Sequence, residues 1–278
     1  MPDQTVTESI VRRERMIVLA GLIAISALAW WWIIAGAGTG MSTTAMTTWQ
    51  FPPPVRPSMQ MDWSFSYAVI MFFMWWIMMI AMMTPTASPM ILLYARAYRH
   101  GRAHGQDESA VAPTFSFLIG YLAAWAAFSL IAVFLQWGLE RAGVLHQMMM
   151  WSLSPVFSGS LLIIAGVYQL TPFENVCLEH CRSPVEFLSR NFRPGSVGAF
   201  RLGWKHGLYC LGCCWFLMAL LFAGGIMNLV WIAGLAIWVL IEKLAPGGQW
   251  IARIAGIAIV LAGIWVFWEF GTATANTT

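Results

Sequence analysis

The side chains best suited to chemistry are crowded into one stretch of the chain. All five cysteines fall between Cys177 and Cys214, with two of the five histidines among them. The stretch is preceded by Tyr168-Gln169-Leu170-Thr171-Pro172. It then carries Cys177-Leu-Glu-His180-Cys181-Arg182-Ser-Pro184 and His206-Gly-Leu-Tyr209-Cys210-Leu-Gly212-Cys213-Cys214-Trp215. Residues three and four apart share a helix face. Cys177 and Cys181 therefore face one way on a short helix opened after Pro172. His206, Cys210 and either Cys213 or Cys214 form a stripe on a second helix. Cys213 and Cys214 are adjacent and cannot both point the same way, so one of them is expected to be a packing residue. Two thiol-bearing faces joined by a loop could enclose one transition metal. Thiolate with imidazole suits Cu(I) or zinc, with iron possible and copper favoured. The expected roles are ligation or relay rather than nucleophilic attack, and no catalytic residue is assigned. A competing reading takes Cys210-Leu-Gly-Cys213 as a redox pair of the thiol–disulfide type, linked to a quinone. A blander one takes the thiols as small core residues.

Methionine forms a second pattern. Met71, Met74, Met78 and Met82 share one helix face, with Met79 and Met83 beside them and Met90 beyond two prolines. Met41, Met46, Met59 and Met61 precede this helix, and Met148, Met149 and Met150 cluster later. Thioethers bind Cu(I), and they remain useful where thiols are oxidised. A methionine-lined face leading towards the thiols would make a copper route. The competing explanation is gap-filling in a core, which methionine does well. Asp62, just before this helix, could add a carboxylate to a metal or proton site, or simply cap an interfacial helix. The methionine face and Asp62 could also belong to a metal-containing subunit of a membrane oxidase. His100 and His104, four apart in a basic loop, read as a solvated loop rather than a ligand pair, and His146, near the later methionine cluster, as a possible ligand or an exposed residue.

These groups need elements to position them, and composition says which kind. The 278 residues are 59% apolar and only 10% charged, against roughly a quarter charged in a soluble domain. So little charge cannot cover a globular surface. A net charge of +3 gives no reason to expect nucleic acid. Apolar runs long enough to cross a bilayer are expected over 16–38, 65–83 with a continuation to 98 after a break at Pro85 and Pro89, 113–139, 152–170, 206–224, 227–244 and 251–270. Residues 1–15 and 271–278 are tails. The first run follows Arg12, Arg13 and Arg15 and reads as a first span or signal anchor rather than a cleaved signal. Alternating strand patterns are absent, so a helical bundle is expected rather than a barrel. The fold class is all-α: one polytopic bundle of seven transmembrane helices.

Loop charge orients the bundle, because Lys and Arg favour the cytoplasmic side. One side collects Arg12, Arg13 and Arg15, then Arg96, Arg99 and Arg102, then Arg182, Arg190, Arg193, Arg201 and Lys205, then Lys243 and Arg253. The other collects only Arg56 and Arg141 of the 15 basic residues. The N-terminus is therefore expected inside and the C-terminus outside, with the thiols at the cytoplasmic face, where they stay reduced. Trp30, Trp31, Trp32, Trp49, Trp63, Trp151, Trp250 and Trp268 lie near span ends, as an interfacial belt would. Gly120, Gly166, Gly224, Gly225 and Gly234 permit close helix approach. No nucleotide-binding glycine motif is present, and no carboxylate falls in mid-span as a proton pump would require.

Several of these segments carry a family resemblance. They are Met74-Trp75-Trp76-Ile-Met78-Met79-Ile-Ala81-Met82-Met83-Thr-Pro85, Ala165-Gly166-Val-Tyr168-Gln169-Leu-Thr171-Pro172 and the two cysteine motifs, extended by Met227-Asn228 and Glu242-Lys243. The chain resembles the bacterial integral membrane proteins predicted to bind metal, the domain of unknown function 2182 family. One departure is Glu174, where a basic residue is expected. The resemblance implies metal binding and multi-pass residence in the bacterial inner membrane. It brings no established reaction. The partners expected are the bilayer, a metal ion, and a metallochaperone or other membrane subunits.

Overall fold

The computed structural model describes residues 2–54, 62–102 and 111–271. Arg56, Met59, Met61 and His104, singled out above, lie outside the described residues, as does the side chain of His100. The described chain is all helix and turn. It runs α1 (Pro2–Ile34), α2 (Phe65–Arg102), α3 (Val111–Arg141), α4 (Pro155–Gln169), α5 (Pro172–Arg182), α6 (Pro184–Asn191), α7 (Gly195–Ala219), α8 (Leu221–Gly224), α9 (Leu229–Leu244) and α10 (Gly248–Val266), closed by a π turn. Among the described residues there is no strand, only one isolated bridge between Leu145 and Ser152.

Each apolar segment expected from the sequence falls on a helix. Among the described residues, five stretches are long and apolar enough to cross a membrane: 15–34, 65–98, 111–141, 195–224 and 248–269. A sixth is available if α4 and α5, bent by 64° at their junction, count as one. α9 is apolar but has 16 residues, about 24 Å of helix against a hydrocarbon core of about 30 Å. The outer faces of the bundle are apolar. Ile23, Leu28 and Trp31 are exposed on α1, Ile131, Phe134 and Leu135 on α3, and Ile254, Ile257 and Leu261 on α10. Trp31, Trp32, Trp49, Trp250 and Trp268 are exposed as the belt reading expects, but Trp151 is buried against His146.

The break expected at Pro85 and Pro89 does not occur; α2 runs unbroken through both. A proline lacks the N–H that would bond four residues back. The carbonyls so deprived are those of Ala81 and Pro85, and Ser88 Oγ donates to the second at 2.8 Å. Beside them, Thr86 Oγ1 donates to the Met83 carbonyl at 2.9 Å and Tyr121 Oη reaches it at 3.2 Å. The fifth apolar segment also begins earlier than expected, because the basic stretch from Gly195 onward is already α7.

Two helix pairs set the frame. α3 lies along α7, and α4 along α10. The first pair is closest where glycine leaves room: a Cβ on Gly203 would stand 1.9 Å from the Phe117 carbonyl oxygen, and one on Gly120 2.1 Å from that of Phe200. In the second pair a Cβ on Gly166 would stand 2.5 Å from the Gly256 oxygen. Gly234, read as another approach point, faces open space. The interior is lined by α2. Met71, Met74, Met78, Met79, Met82, Met83 and Met90 are all buried in one core with Trp75, Tyr121 and Trp125.

A candidate thiol centre

The centre is assembled by a turn that the sequence dictates locally. α4 ends at Leu170. Thr171 then caps α5, its hydroxyl accepting from the Glu174 amide, with Pro172 at the first position, where a missing N–H costs nothing. The 64° bend lays α5 across α7. Cys177 and Cys181, one turn apart, thus face Gly212 and Cys213. Gly212 is needed for this seating, since a Cβ there would stand 2.6 Å from Cys177 Sγ. Tyr168 Oη holds the Gly212 carbonyl at 2.6 Å.

All five cysteines are free thiols; Cys210, Cys213 and Cys214 are buried and Cys177 and Cys181 half-buried. The Cys181 and Cys213 sulfurs stand 4.0 Å apart. Cys213 and Cys214 both donate to the Cys210 carbonyl, at 3.1 and 2.8 Å. Cys210 Sγ, on the adjoining face, meets Tyr121 Oη at 3.1 Å and Lys243 Nζ at 2.9 Å. Lys243 is buried, and the sulfurs of Cys181, Cys213 and Cys214 also lie within its electrostatic reach. Sulfurs from α5 and α7 thus surround a lysine from α9, with a tyrosine from α3 closing the side.

The expected ligands sort unevenly. Cys181, Cys210, Cys213 and Cys214 are brought together, and Cys177 sits at the edge over Gly212. His206 is buried one turn before Cys210, its ring boxed by Phe117, Tyr121 and Phe187, and its Nδ1 has no hydrogen-bond partner. His180 is elsewhere. It stacks flat on Tyr209, with ring centroids 4.3 Å apart, and bonds the Val176 carbonyl through Nδ1. With Glu179 and Glu186 it lines a surface groove between α5 and α6. Asp62 is exposed, apart from the buried Met74, Met78, Met79, Met82 and Met83. Met83 meets the centre through its backbone carbonyl, which Tyr121 Oη bonds at 3.2 Å.

Among the described residues, no three His, Cys, Asp or Glu side chains are grouped so that they could hold a metal ion as they stand. A pair is in reach of one ion. Sulfurs 4.0 Å apart could share a metal at about 2.3 Å each, with an angle near ~120° at the metal. The donors are soft, which fits a cuprous ion.

Two residues of the centre, Lys243 and Tyr121, are not among the ligands expected from the sequence. Glu242-Lys243 was visible as a motif, and a charge ending an apolar helix is a usable signal. Tyr121 offers none, being one aromatic among many.

One polar network adjoins the centre, and a second lies towards the far ends of α2 and α3. Glu242 is buried and accepts from Gln169 Nε2 at 2.7 Å and from Trp238 Nε1. Glu174 is also buried, with neither carboxylate oxygen bonded. At the start of α2, Glu140 accepts from Trp63 Nε1 and Gln136 Nε2, both at 2.8 Å. Gln136 in turn accepts from Trp75 Nε1 at 2.8 Å and reaches Met71 Sδ at 3.5 Å.

A family model described as a copper chaperone, PpoB2, matches residues 72–266. The matched stretch contains α3 to α9 and every residue of the thiol centre. It agrees with the expectation of a metal-related family, under a different description from the one the resemblance suggested. No curated protein and no solved structure matches the chain.

Proposed function

The chain belongs to the copper chaperone family PpoB2, and from that premise we propose that it carries Cu(I) as cargo on the thiols between α5 and α7. The observation that carries this reading is the Cys181–Cys213 separation of 4.0 Å within a set of free, mostly buried thiols. Cys177, Cys210 and Cys214 complete the sulfur set, with His206 and His180 as ligands on the way in or out. Burial favours holding an ion over thiol–disulfide exchange, because exchange needs an accessible thiolate and Cys210 and Cys213 are covered.

The protein works as a multi-pass protein of the bacterial inner membrane, N-terminus inside. The apolar outer faces and the loop charges support that placement. The thiols then lie towards the cytoplasmic side, where a metallochaperone or another subunit can exchange copper with them. The buried methionines Met74, Met78, Met79, Met82 and Met83 supply a soft path along α2 from the other side.

The test is metal content of the purified protein loaded under reducing conditions. Wild type is expected to retain copper, and Cys181→Ser with Cys213→Ser to lose it. Equal copper in both would defeat the assignment.

A further inference from the structure

We infer that the cleft between α2 and α3, at the end of the bundle away from the thiols, binds one anionic phospholipid, with an acyl chain between the helices and the phosphate on Arg141. The inference is independent of the copper cargo and rests only on the membrane placement above.

The two helices are tied together at both ends of the cleft. Trp63 Nε1 donates to Glu140 at 2.8 Å at the mouth, and Trp76 Nε1 donates to the Leu122 carbonyl at 2.9 Å below. Between these ties the helices leave a cleft of about 550 Å³, a size that suits a small-molecule site. Phe65, Val69 and Phe72 line it on α2, and Leu130, Phe134 and Trp137 on α3. Each set keeps the three-and-four spacing of one helix face. From Phe65 to Phe72 the α2 wall rises about 10 Å, against a hydrocarbon depth of about 15 Å for one leaflet. The upper part of one acyl chain fits such a slot.

Charge selects the occupant. Arg141 stands one turn beyond Trp137 on the same face of α3. It is exposed, and its guanidinium lies over the Trp137 ring, 5.3 Å from the centroid. Among the described residues no carboxylate is paired with it. The adjacent Glu140 turns inward instead, to Trp63 and Gln136. A fixed cation without an acid thus stands at the head of an apolar cleft, at the level that interfacial tryptophans mark. Guanidinium matches a phosphate oxygen pair. A phospholipid carries the apolar chain and the anion in one molecule at this spacing, whereas a partner helix would have to bring its own carboxylate to Arg141. An ethanolamine headgroup would set a second cation beside the first, and phosphatidylglycerol adds none.

The experiment places the photo-crosslinking amino acid p-benzoylphenylalanine in the full-length protein in place of Phe134. A control carries it in place of Leu261, on the exposed face of α10. Both are reconstituted in vesicles of equimolar phosphatidylglycerol and phosphatidylethanolamine, and the adducts are identified by mass. At Phe134 phosphatidylglycerol should be favoured about fivefold, the worth of one basic residue at a lipid surface, and at Leu261 the two lipids should be equal. Arg141→Gln should abolish the preference and Arg141→Lys should keep it. Ala68→Phe, which fills the cleft, should lower lipid adducts at Phe134 and leave those at Leu261 unchanged. Equal adducts of the two lipids at Phe134, a preference that survives Arg141→Gln, or a yield indifferent to Ala68→Phe would overturn the inference. A protein adduct in place of lipid at Phe134 in cells would assign the cleft to a partner chain and overturn it as well. Lipid adducts at neither position would overturn the membrane placement, and this inference with it.

Discussion

Replacing Gly212 by alanine tests how α5 is seated on α7. The new Cβ would stand 2.6 Å from Cys177 Sγ and 3.4 Å from Cys177 Cβ. Comfortable contact lies at about 3.5–4.0 Å, so the sulfur must retreat by roughly 1 Å. α7 cannot easily turn away, because Tyr168 pins the Gly212 carbonyl at 2.6 Å. The strain falls on Cys177, which is half-buried, and overpacking of this kind costs about 1–3 kcal/mol. Removing the sulfur should relieve it. In Gly212→Ala with Cys177→Ala, the alanine methyl fills the space that Sγ leaves. Unfolding free energies of wild type, both single variants and the double variant in detergent close a double-mutant cycle. The predicted coupling is about 1–2 kcal/mol in favour of the double variant, within the range for residues in contact. Additive costs, with coupling below about 0.5 kcal/mol, would show that Cys177 does not rest on Gly212 and would refute the seating of α5.

Other perturbations follow from the same geometry. Gly203→Ala would place a Cβ 1.9 Å from the Phe117 carbonyl oxygen, and backbone cannot rotate aside. It should cost at least ~3 kcal/mol and drop the yield of folded protein, whereas Gly234→Ala, facing open space, should be near neutral; equal behaviour of the two would contradict the α3–α7 packing. Glu174→Met exchanges a buried carboxyl with no bonded oxygen for an apolar side chain of similar length. It should raise stability by about 1–3 kcal/mol, the cost of an unsatisfied buried polar group, read from the unfolding midpoint. A fall in stability would mean that Glu174 has a partner in solution.

Much of the frame was legible because apolar length is a one-dimensional signal. Each expected apolar segment falls on a helix, although among the described residues only five, or six with α4 and α5 taken as one, are long and apolar enough to cross a membrane, and Pro172 marked the opening of α5. Pro85 and Pro89 misled, since the loss of an N–H was visible but the Ser88 hydroxyl that meets the deprived Pro85 carbonyl depends on its rotamer. At the centre, spacing brought the cysteines of each helix to one face but could not register α5 against α7. It therefore could not separate Cys181, which meets Cys213, from Cys177, which meets Gly212. His180 shares the Cys181 motif yet turns to Tyr209, because adjacent helical residues point about 100° apart. Lys243 lies 33 residues from Cys210, and only the tertiary path of α9 brings them together.

The central claim, that cuprous ion sits on sulfur between α5 and α7, is tested most directly by X-ray absorption at the copper edge on the loaded protein. The account predicts a cuprous edge and an inner shell of two sulfurs in wild type, with copper lost from Cys181→Ser and from Cys213→Ser. A shell built of nitrogen or oxygen, or a sulfur shell that survives both substitutions, would contradict it.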